Sequence, residues 1–468
     1  MLDQLLQQVM RLALTVVLTR LTEPEDYGLI GIAFVVTAVS SFITDLGMGS
    51  ALIQRRKITN AHVSTALACT AALGFAFAAL VIATSHPVAS FFREPRLAAV
   101  LVVMSLNFPL KGLSAVPRDL LRRQLLFRPL TVANGIAVLI SGTAAVVIAA
   151  LGGGVWALVV YSVGESVVAL VTLWAAALSR RLASIRLTFH RTEFRELIGF
   201  SASVTGFKLL YYVQISIDNL IVGRVLGPEA LGYYGLAYRL MLYPIQRVGD
   251  VLANVALPAF ATLQDDRARL RIAFRRGMST ISLVCFPLSM MIMVSAPLLI
   301  PVALGQKWAP SIATVQILAL NGPRIALNRL NGSVFQAVGR PAWDMWLALL
   351  ALCAYVVAFT IGVRHGITGM AIAYTVAGYL TTPAAQIMVG RALRTSSLGT
   401  LGGLTPLLIP TVAMVVAGEG TRRLVEGHGP TWIQLIAVVS ACGVTYLALV
   451  LATARSLLSE FTAALRGR

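Results

Sequence analysis

Arg239, Tyr243, Gln246 and Asp250 recur at i, i+4, i+7 and i+11, the spacing that brings side chains onto one helical face, and Arg247 sits beside them. Residues 309–337 carry a second such face, Asn321, Arg324, Asn328 and Asn331, flanked by Arg329, and Pro323 is expected to bend that helix. In residues 197–222, Lys208, Tyr211, Tyr212, Gln214, Asp218 and Asn219 fall within about half of a helix circumference, opposite Leu209, Leu210, Val213, Ile217 and Leu220. Earlier in the chain come Arg11 with Gln7 and Gln8, then Asp45, then the row Asn107, Lys111, Ser114 and Arg118. All lie inside long apolar stretches, where a charge at the bilayer centre costs about 2.5–3.5 kcal/mol or more unless it faces protein or water. Seven cations (Arg11, Lys111, Lys208, Arg239, Arg247, Arg324, Arg329) stand against four carboxylates (Asp45, Glu165, Asp218, Asp250). A cavity lined by this set carries a net positive charge and attracts an anion.

Catalytic chemistry finds little support. His62, His86, His190, His365 and His428 fall near the ends of apolar segments or in loops, without ligand partners at i, i+4, so no metal site is expected. Cys69, Cys285, Cys353 and Cys442 lie singly within apolar segments, in no metal or disulfide spacing. The runs LGTLGGLTP and LGGGV lack the Lys and Ser or Thr of a phosphate loop and suit turns and close helix packing instead. No cofactor is expected.

The elements that must position these stripes follow from composition. Mean hydropathy of +0.81 with only 12% charged residues makes lipid the solvent. The 38 Lys and Arg against 19 Asp and Glu form no concentrated basic run with interleaved aromatics, which argues against nucleic acid. About fourteen apolar segments reach the roughly 20 residues a spanning helix needs. They lie near residues 2–20, 27–52, 61–90, 97–119, 130–151, 155–178, 197–222, 231–260, 277–304, 309–337, 342–363, 367–390, 399–417 and 432–454. Continuous apolar runs exclude the alternating strands of an outer-membrane barrel. With a cytoplasmic amino terminus, inside loops and tail hold 23 Lys and Arg and outside loops 8, so the positive-inside rule places both termini in the cytoplasm. The first apolar segment has no cleavage site and starts at the very beginning of the chain, so further residues ahead of it are expected.

An internal repeat organises the segments. Between residues 5–33 and 209–237, at a constant offset of 204, nine of 29 pairs are identical: Leu5/Leu209, Leu6/Leu210, Val9/Val213, Arg20/Arg224, Pro24/Pro228, Glu25/Glu229, Gly28/Gly232, Gly31/Gly235 and Ala33/Ala237. A second echo at offset 212 pairs Gln124, Arg128 and Pro129 with Gln336, Arg340 and Pro341. The expected architecture is an all-α integral membrane protein of two six-helix lobes in one orientation, residues 1–180 and 197–391. A basic cytoplasmic connector (181–196) joins them, and residues 392–468 supply two further helices and a cytoplasmic tail. Parallel repeats of this kind are a transporter signature, in which two lobes rock about a site near the bilayer midplane. TEPEDYG and GPEALG then read as matching outside turns, where Pro and Gly allow a tight reversal.

The stretches IDNLIVGRVLGPEALGYYGLAYRL, DLGMGSALIQRRKITNAHVSTA, GLSAVPRDLLRRQLLFRP, LPAFATLQDD and LNGSVFQAVGRP closely resemble the polysaccharide exporters and lipid-linked oligosaccharide flippases of the multidrug/oligosaccharidyl-lipid/polysaccharide exporter superfamily, the group containing the O-antigen flippases. The resemblance runs from about residue 5 to about residue 395. It implies a multi-pass protein of the bacterial inner membrane that moves an undecaprenyl-pyrophosphate-linked glycan, or a related anionic glycolipid, through a cationic cavity by alternating access. On that reading Lys208, Arg239, Arg324 and Lys111 hold the pyrophosphate. Tyr211, Tyr212, Tyr243 and Asn328 contact sugars, and Asp45, Asp218 or Asp250 binds a coupling proton or sodium ion. Two rivals stand beside it. A drug exporter of the same superfamily would want acidic residues facing an organic cation, and a membrane-embedded glycan polymerase or ligase would want a large outside loop with reactive side chains.

Overall fold

Thr59 and His62 open one long helix by exchanging side-chain and backbone hydrogen bonds in a capping box, and Arg93 closes it in the left-handed conformation, donating to the carbonyls of Ala89 and Ser90. Local signals of this kind recur along the computed structural model, which describes residues 2–45, 52–53, 58–180, 182, 188–194, 216–397, 399, 402 and 404–453, with the backbone alone at 2–6, 38–45, 243–244 and 246–255. The described residues hold helices and connecting turns and no strand. In chain order the helices are Leu2–Leu21 (α1), Pro24–Asp45 (α2), Asn60–Phe92 (α3), Arg96–Met104 (α4), Asn107–Arg123 (α5), Phe127–Ala150 (α6), Val155–Ser179 (α7) and 216–225 (α8). They continue as Pro228–Thr262 (α9), Arg267–Ala303 (α10), Ile312–Ala319 (α11), Asn321–Asn328 (α12), Asn331–Ala337 (α13), Ala342–Gly362 (α14), Gly366–Ala392 (α15), Thr405–Val425 (α16) and Thr431–Thr453 (α17). Seven stretches among the described residues are long and apolar enough to cross a membrane, and one of them, Ala342–Ala392, contains both α14 and α15. The chain is an all-α, multi-pass membrane protein.

The residues divide into two compact units, Met1–Gly232 and Tyr233–Arg468. In the first, α6 pairs with α7 along a row of small residues, Ala133, Ala137, Ser141, Ala145 and Ala149, all buried and one turn apart. Small side chains let the backbones approach, which is how helices associate when lipid removes the hydrophobic drive between them. In the second, α10 packs on α16 and α17 through Leu283, Met290, Val294, Met414 and Cys442, and the buried Tyr446 hydroxyl donates to the Leu283 carbonyl at 2.8 Å. The outward faces are apolar, with Leu139, Leu380, Ile409 and Val444 all more than half exposed, as suits side chains that meet acyl chains.

The repeated turns meet each other within the first unit. A Cβ on Gly28 would overlap the carbonyl oxygen of Pro228, and a Cβ on Gly232 would overlap that of Pro24. Both prolines open their helices, where the missing N–H costs nothing. The pairing is reciprocal: the repeat mate of each residue contacts the repeat mate of its partner. Around this clasp Arg96 bonds Glu25 and Glu94, and the Arg224 guanidinium lies 4.9 Å from the Phe91 ring centroid.

Candidate functional site: a buried cation at a broken helix

The third polar stripe lies on an interrupted helix. Pro323 has no N–H to give the carbonyl four residues back, and α11 ends at that residue, Ala319, before α12 begins at Asn321. Hydroxyls on α15 bond carbonyls beside the interruption: Thr375 Oγ1 donates to Ile317 at 3.3 Å and Tyr379 OH to Leu320 at 2.8 Å. A second interruption separates Asn328 from Asn331. Discontinuous helices are the usual setting of substrate and ion sites in transporters, because they place polar backbone and side chains at membrane depth.

Arg324 is the centre of this arrangement. Its side chain is buried, 9% exposed, and its Nε donates to Asn321 Oδ1 at 3.0 Å. The guanidinium lies 5.4 Å from the centroid of the Tyr374 ring, which itself stacks on Tyr355 at 5.3 Å and meets Tyr238 edge-on at 5.7 Å. Gly378 makes room on α15, since a Cβ there would press on the guanidinium at 2.6 Å. Among the described residues no carboxylate pairs with Arg324. A polar seam continues on either side: Asn321 Nδ2 donates to Thr375 at 2.7 Å, Asn328 Nδ2 to Thr382 at 3.3 Å and to the Arg324 carbonyl at 3.0 Å, Asn331 Nδ2 to Asn328 Oδ1 at 2.9 Å, and Gln386 Nε2 to Asn328 Oδ1 at 3.4 Å. The seam fixes the guanidinium's position while aromatic faces, which are weak acceptors, lower the cost of burying it. Such a group can receive an anion with charge-assisted hydrogen bonds from the donors that protein leaves unused.

The sequence stripe Asn321, Arg324, Asn328 and Asn331 therefore comes together, but the opposing α15 face was missed. Its members Thr375, Tyr379, Thr382 and Gln386 obey the same i, i+4, i+7, i+11 spacing, and carrying no charge they did not stand out. Arg239 is half-buried on α9 and makes no ion pair among the described residues. Lys208, Tyr211 and Tyr212 lie outside the described residues, as do the side chains of Asp45, Tyr243 and Asp250, whose backbones are helical. Asp218 is buried at 3% exposed, and its Oδ1 accepts from the Asn219 amide at 2.7 Å.

In the first unit one of the expected intramembrane cations has a carboxylate partner. Arg11 on α1 is bonded to Glu165 on α7 through both guanidinium ends, and its Nη1 also donates to Tyr161 at 3.3 Å. Lys111 on α5 is exposed and makes no ion pair among the described residues. Asn107 is consumed by structure, accepting from Ser166 Oγ at 2.5 Å and donating to Ser162 at 3.3 Å. No group of three or more His, Cys, Asp or Glu that could hold a metal occurs among the described residues.

Comparison with known proteins shows the family and the fold. The chain is 26% identical to lipopolysaccharide biosynthesis protein WzxC of Escherichia coli (strain K12) over 69% of its own length, and the match spans 65% of WzxC. It is 27% identical to succinoglycan biosynthesis transport protein ExoT of Rhizobium meliloti (strain 1021), over 97% of this chain and 91% of ExoT. Its fold matches that of lipid II flippase MurJ in an inward closed conformation with a TM-score of 0.77 at 13% identity, covering 98% of this chain and 99% of MurJ. An inward-facing multidrug resistance transporter of the same superfamily matches at 0.63 and 15% identity, over 83% of this chain and 96% of that one. The family model described as polysaccharide biosynthesis protein matches residues 17–313, so the chain belongs to that family, the polysaccharide exporters and flippases of the multidrug/oligosaccharidyl-lipid/polysaccharide exporter superfamily.

Proposed function

We propose that this protein moves a lipid-linked oligosaccharide or polysaccharide intermediate from the inner to the outer leaflet of the bacterial cytoplasmic membrane, by alternating access through a cationic cavity. The observation that carries the reading is Arg324, a buried cation at a helix break with no carboxylate partner among the described residues. An anionic headgroup, such as an undecaprenyl pyrophosphate, supplies the missing counter-charge. Arg239, Lys208 and Lys111 add positive potential along its route, Tyr211, Tyr212, Tyr243 and Asn328 meet the sugars, and Asp45, Asp218 or Asp250 takes a coupling proton or sodium ion. The membrane arrangement that goes with it has fourteen spans, two six-helix lobes ending near residues 180 and 391, and both termini in the cytoplasm. Transport here requires no covalent chemistry.

Proteoliposomes loaded with a fluorescent polyprenyl-pyrophosphate oligosaccharide test this. Protein-dependent exposure of the label to an outside quencher, slowed in Lys208→Ala and Arg324→Ala, is the expected result. Movement of an organic cation in place of the glycolipid would replace this reading with that of a drug exporter.

A further inference from the structure

A groove of about 460 Å³ runs between α6 and α7, and its chemistry is not used by the transport reading. Two arginines line it, Arg128 and Arg180, together with Val132, Ile136, Thr172 and Ala175. Arg128 is the second residue of α6 and Arg180 follows the last residue of α7, so the antiparallel hairpin sets both guanidiniums at one end of the groove. The walls below them are apolar and belong to two helices long and apolar enough to cross a membrane.

Neither arginine is neutralised among the described residues. Arg180 Nη1 donates only to neutral acceptors, the Ala176 carbonyl at 3.0 Å and Ser179 Oγ at 3.3 Å, and Arg128 makes no ion pair there. The amino terminus of α6 has no side-chain cap, so the positive end of its helix dipole lies at the same level, although Pro129 has no N–H and the Phe127 N–H is taken by the Leu125 carbonyl at 3.0 Å. From Arg128 to Ile136 the helix rises about 12 Å, long enough to follow a substantial part of an acyl chain. Val132 and Ile136 stand 51% and 37% exposed along the lip, where lipid reaches them.

We propose that this groove holds one anionic phospholipid, its headgroup phosphate between Arg128 and Arg180 and one acyl chain along Val132, Ile136 and Ala175. Basic pockets at the ends of membrane helices recognise anionic headgroups in this way, and the apolar wall adds selectivity for a lipid over a soluble phosphate. The site rests on the membrane placement of α6 and α7 and not on what the protein transports.

The test is to titrate the purified full-length protein in detergent with phosphatidylglycerol or phosphatidylcholine of identical chains and to count bound lipids by native mass spectrometry. Phosphatidylglycerol should be retained preferentially at one site. Arg128→Gln and Arg180→Gln should each weaken it about fivefold. Ala175→Phe, at an exposed position, fills the groove without changing charge and should weaken it too. Arg122→Gln removes an exposed charge outside the groove and should leave it unchanged. The proposal is overturned if the two lipids bind alike, if Arg122→Gln acts as strongly as Arg128→Gln, if Ala175→Phe has no effect, or if the arginine variants lose a protein dimer instead of a lipid. Lipid counting needs no glycolipid substrate, so failure here leaves the transport reading standing, and the reverse holds.

Discussion

Replacing Arg324 with methionine separates a functional cation from a structural one. The native side chain gains a charge-assisted hydrogen bond to Asn321, worth about 1.5–3 kcal/mol, and a cation–π contact with Tyr374 worth about 0.5–2 kcal/mol. Against this stands the cost of holding a guanidinium out of water, several kcal/mol per ion, with no carboxylate among the described residues to offset it. Methionine fills similar volume without charge, and its flexible thioether adapts to the aromatic faces of Tyr374 and Tyr355. The balance predicts a variant between about 1 kcal/mol less and about 2 kcal/mol more stable than wild type. Arg324→Lys keeps the charge, loses the planar donor at Nε and should be the least stable of the three. Thermal unfolding in detergent at fixed scan rate reads the order, because about 1 kcal/mol moves the midpoint by roughly 2–4 °C in a unit of this size. A structural arginine would behave oppositely. If Arg324→Met falls by more than about 8 °C while Arg324→Lys stays at the wild-type midpoint, the reading of this residue as a destabilising, functional charge is refuted.

Four further outcomes follow from the geometry. Gly232→Ala and Gly28→Ala should each destabilise by about 1–3 kcal/mol, with the double variant costing less than the sum because one separation of the turns accommodates both methyl groups. Gly235→Ala, where a Cβ meets open space in a helix, should instead stabilise by about 0.5–1 kcal/mol in the same unfolding assay. A double-mutant cycle on Arg11 and Glu165 should give a coupling of about 1 kcal/mol or less, since both side chains are partly exposed. Arg422 and Arg423 hold the Glu419 carboxyl below its ordinary range, so its contribution at the end of α16 is present at neutral pH and is lost as acidification protonates it in the folded state. Unfolding midpoints of wild type and Glu419→Gln should accordingly differ at neutral pH and converge in acid.

Much of the architecture was legible because lipid makes hydropathy a direct record of helices. Residues 130–151 and 155–178 came within a few residues of α6 and α7, and Pro323 marked the break before α12. The Asn321, Arg324, Asn328, Asn331 stripe could be read because polar side chains are costly in lipid, so a run of them at helical spacing in an apolar segment must face protein or a cavity. Pairing across the fold could not be read. Arg11 and Glu165 lie 154 residues apart, and nothing local to either reports that they meet. The repeat placed Gly28 and Gly232 in equivalent turns, but equivalence does not say that the turns touch, and only the reciprocal approach to Pro228 and Pro24 reveals it. The α15 face escaped notice because Thr375, Tyr379, Thr382 and Gln386 are common at membrane depth when a neighbouring helix offers carbonyls and amides.

The central claim is that the buried charge at Arg324 receives an anionic headgroup. Equilibrium binding of a polyprenyl-pyrophosphate oligosaccharide and of the uncharged polyprenol of equal length, to wild type and to Arg324→Met, tests it directly. The account predicts a loss of roughly ten- to hundredfold in affinity for the pyrophosphate lipid, the worth of one hydrogen bond to a charged group, with polyprenol binding unchanged. Equal affinity of both proteins for the pyrophosphate lipid, or a parallel loss for both lipids, would contradict it.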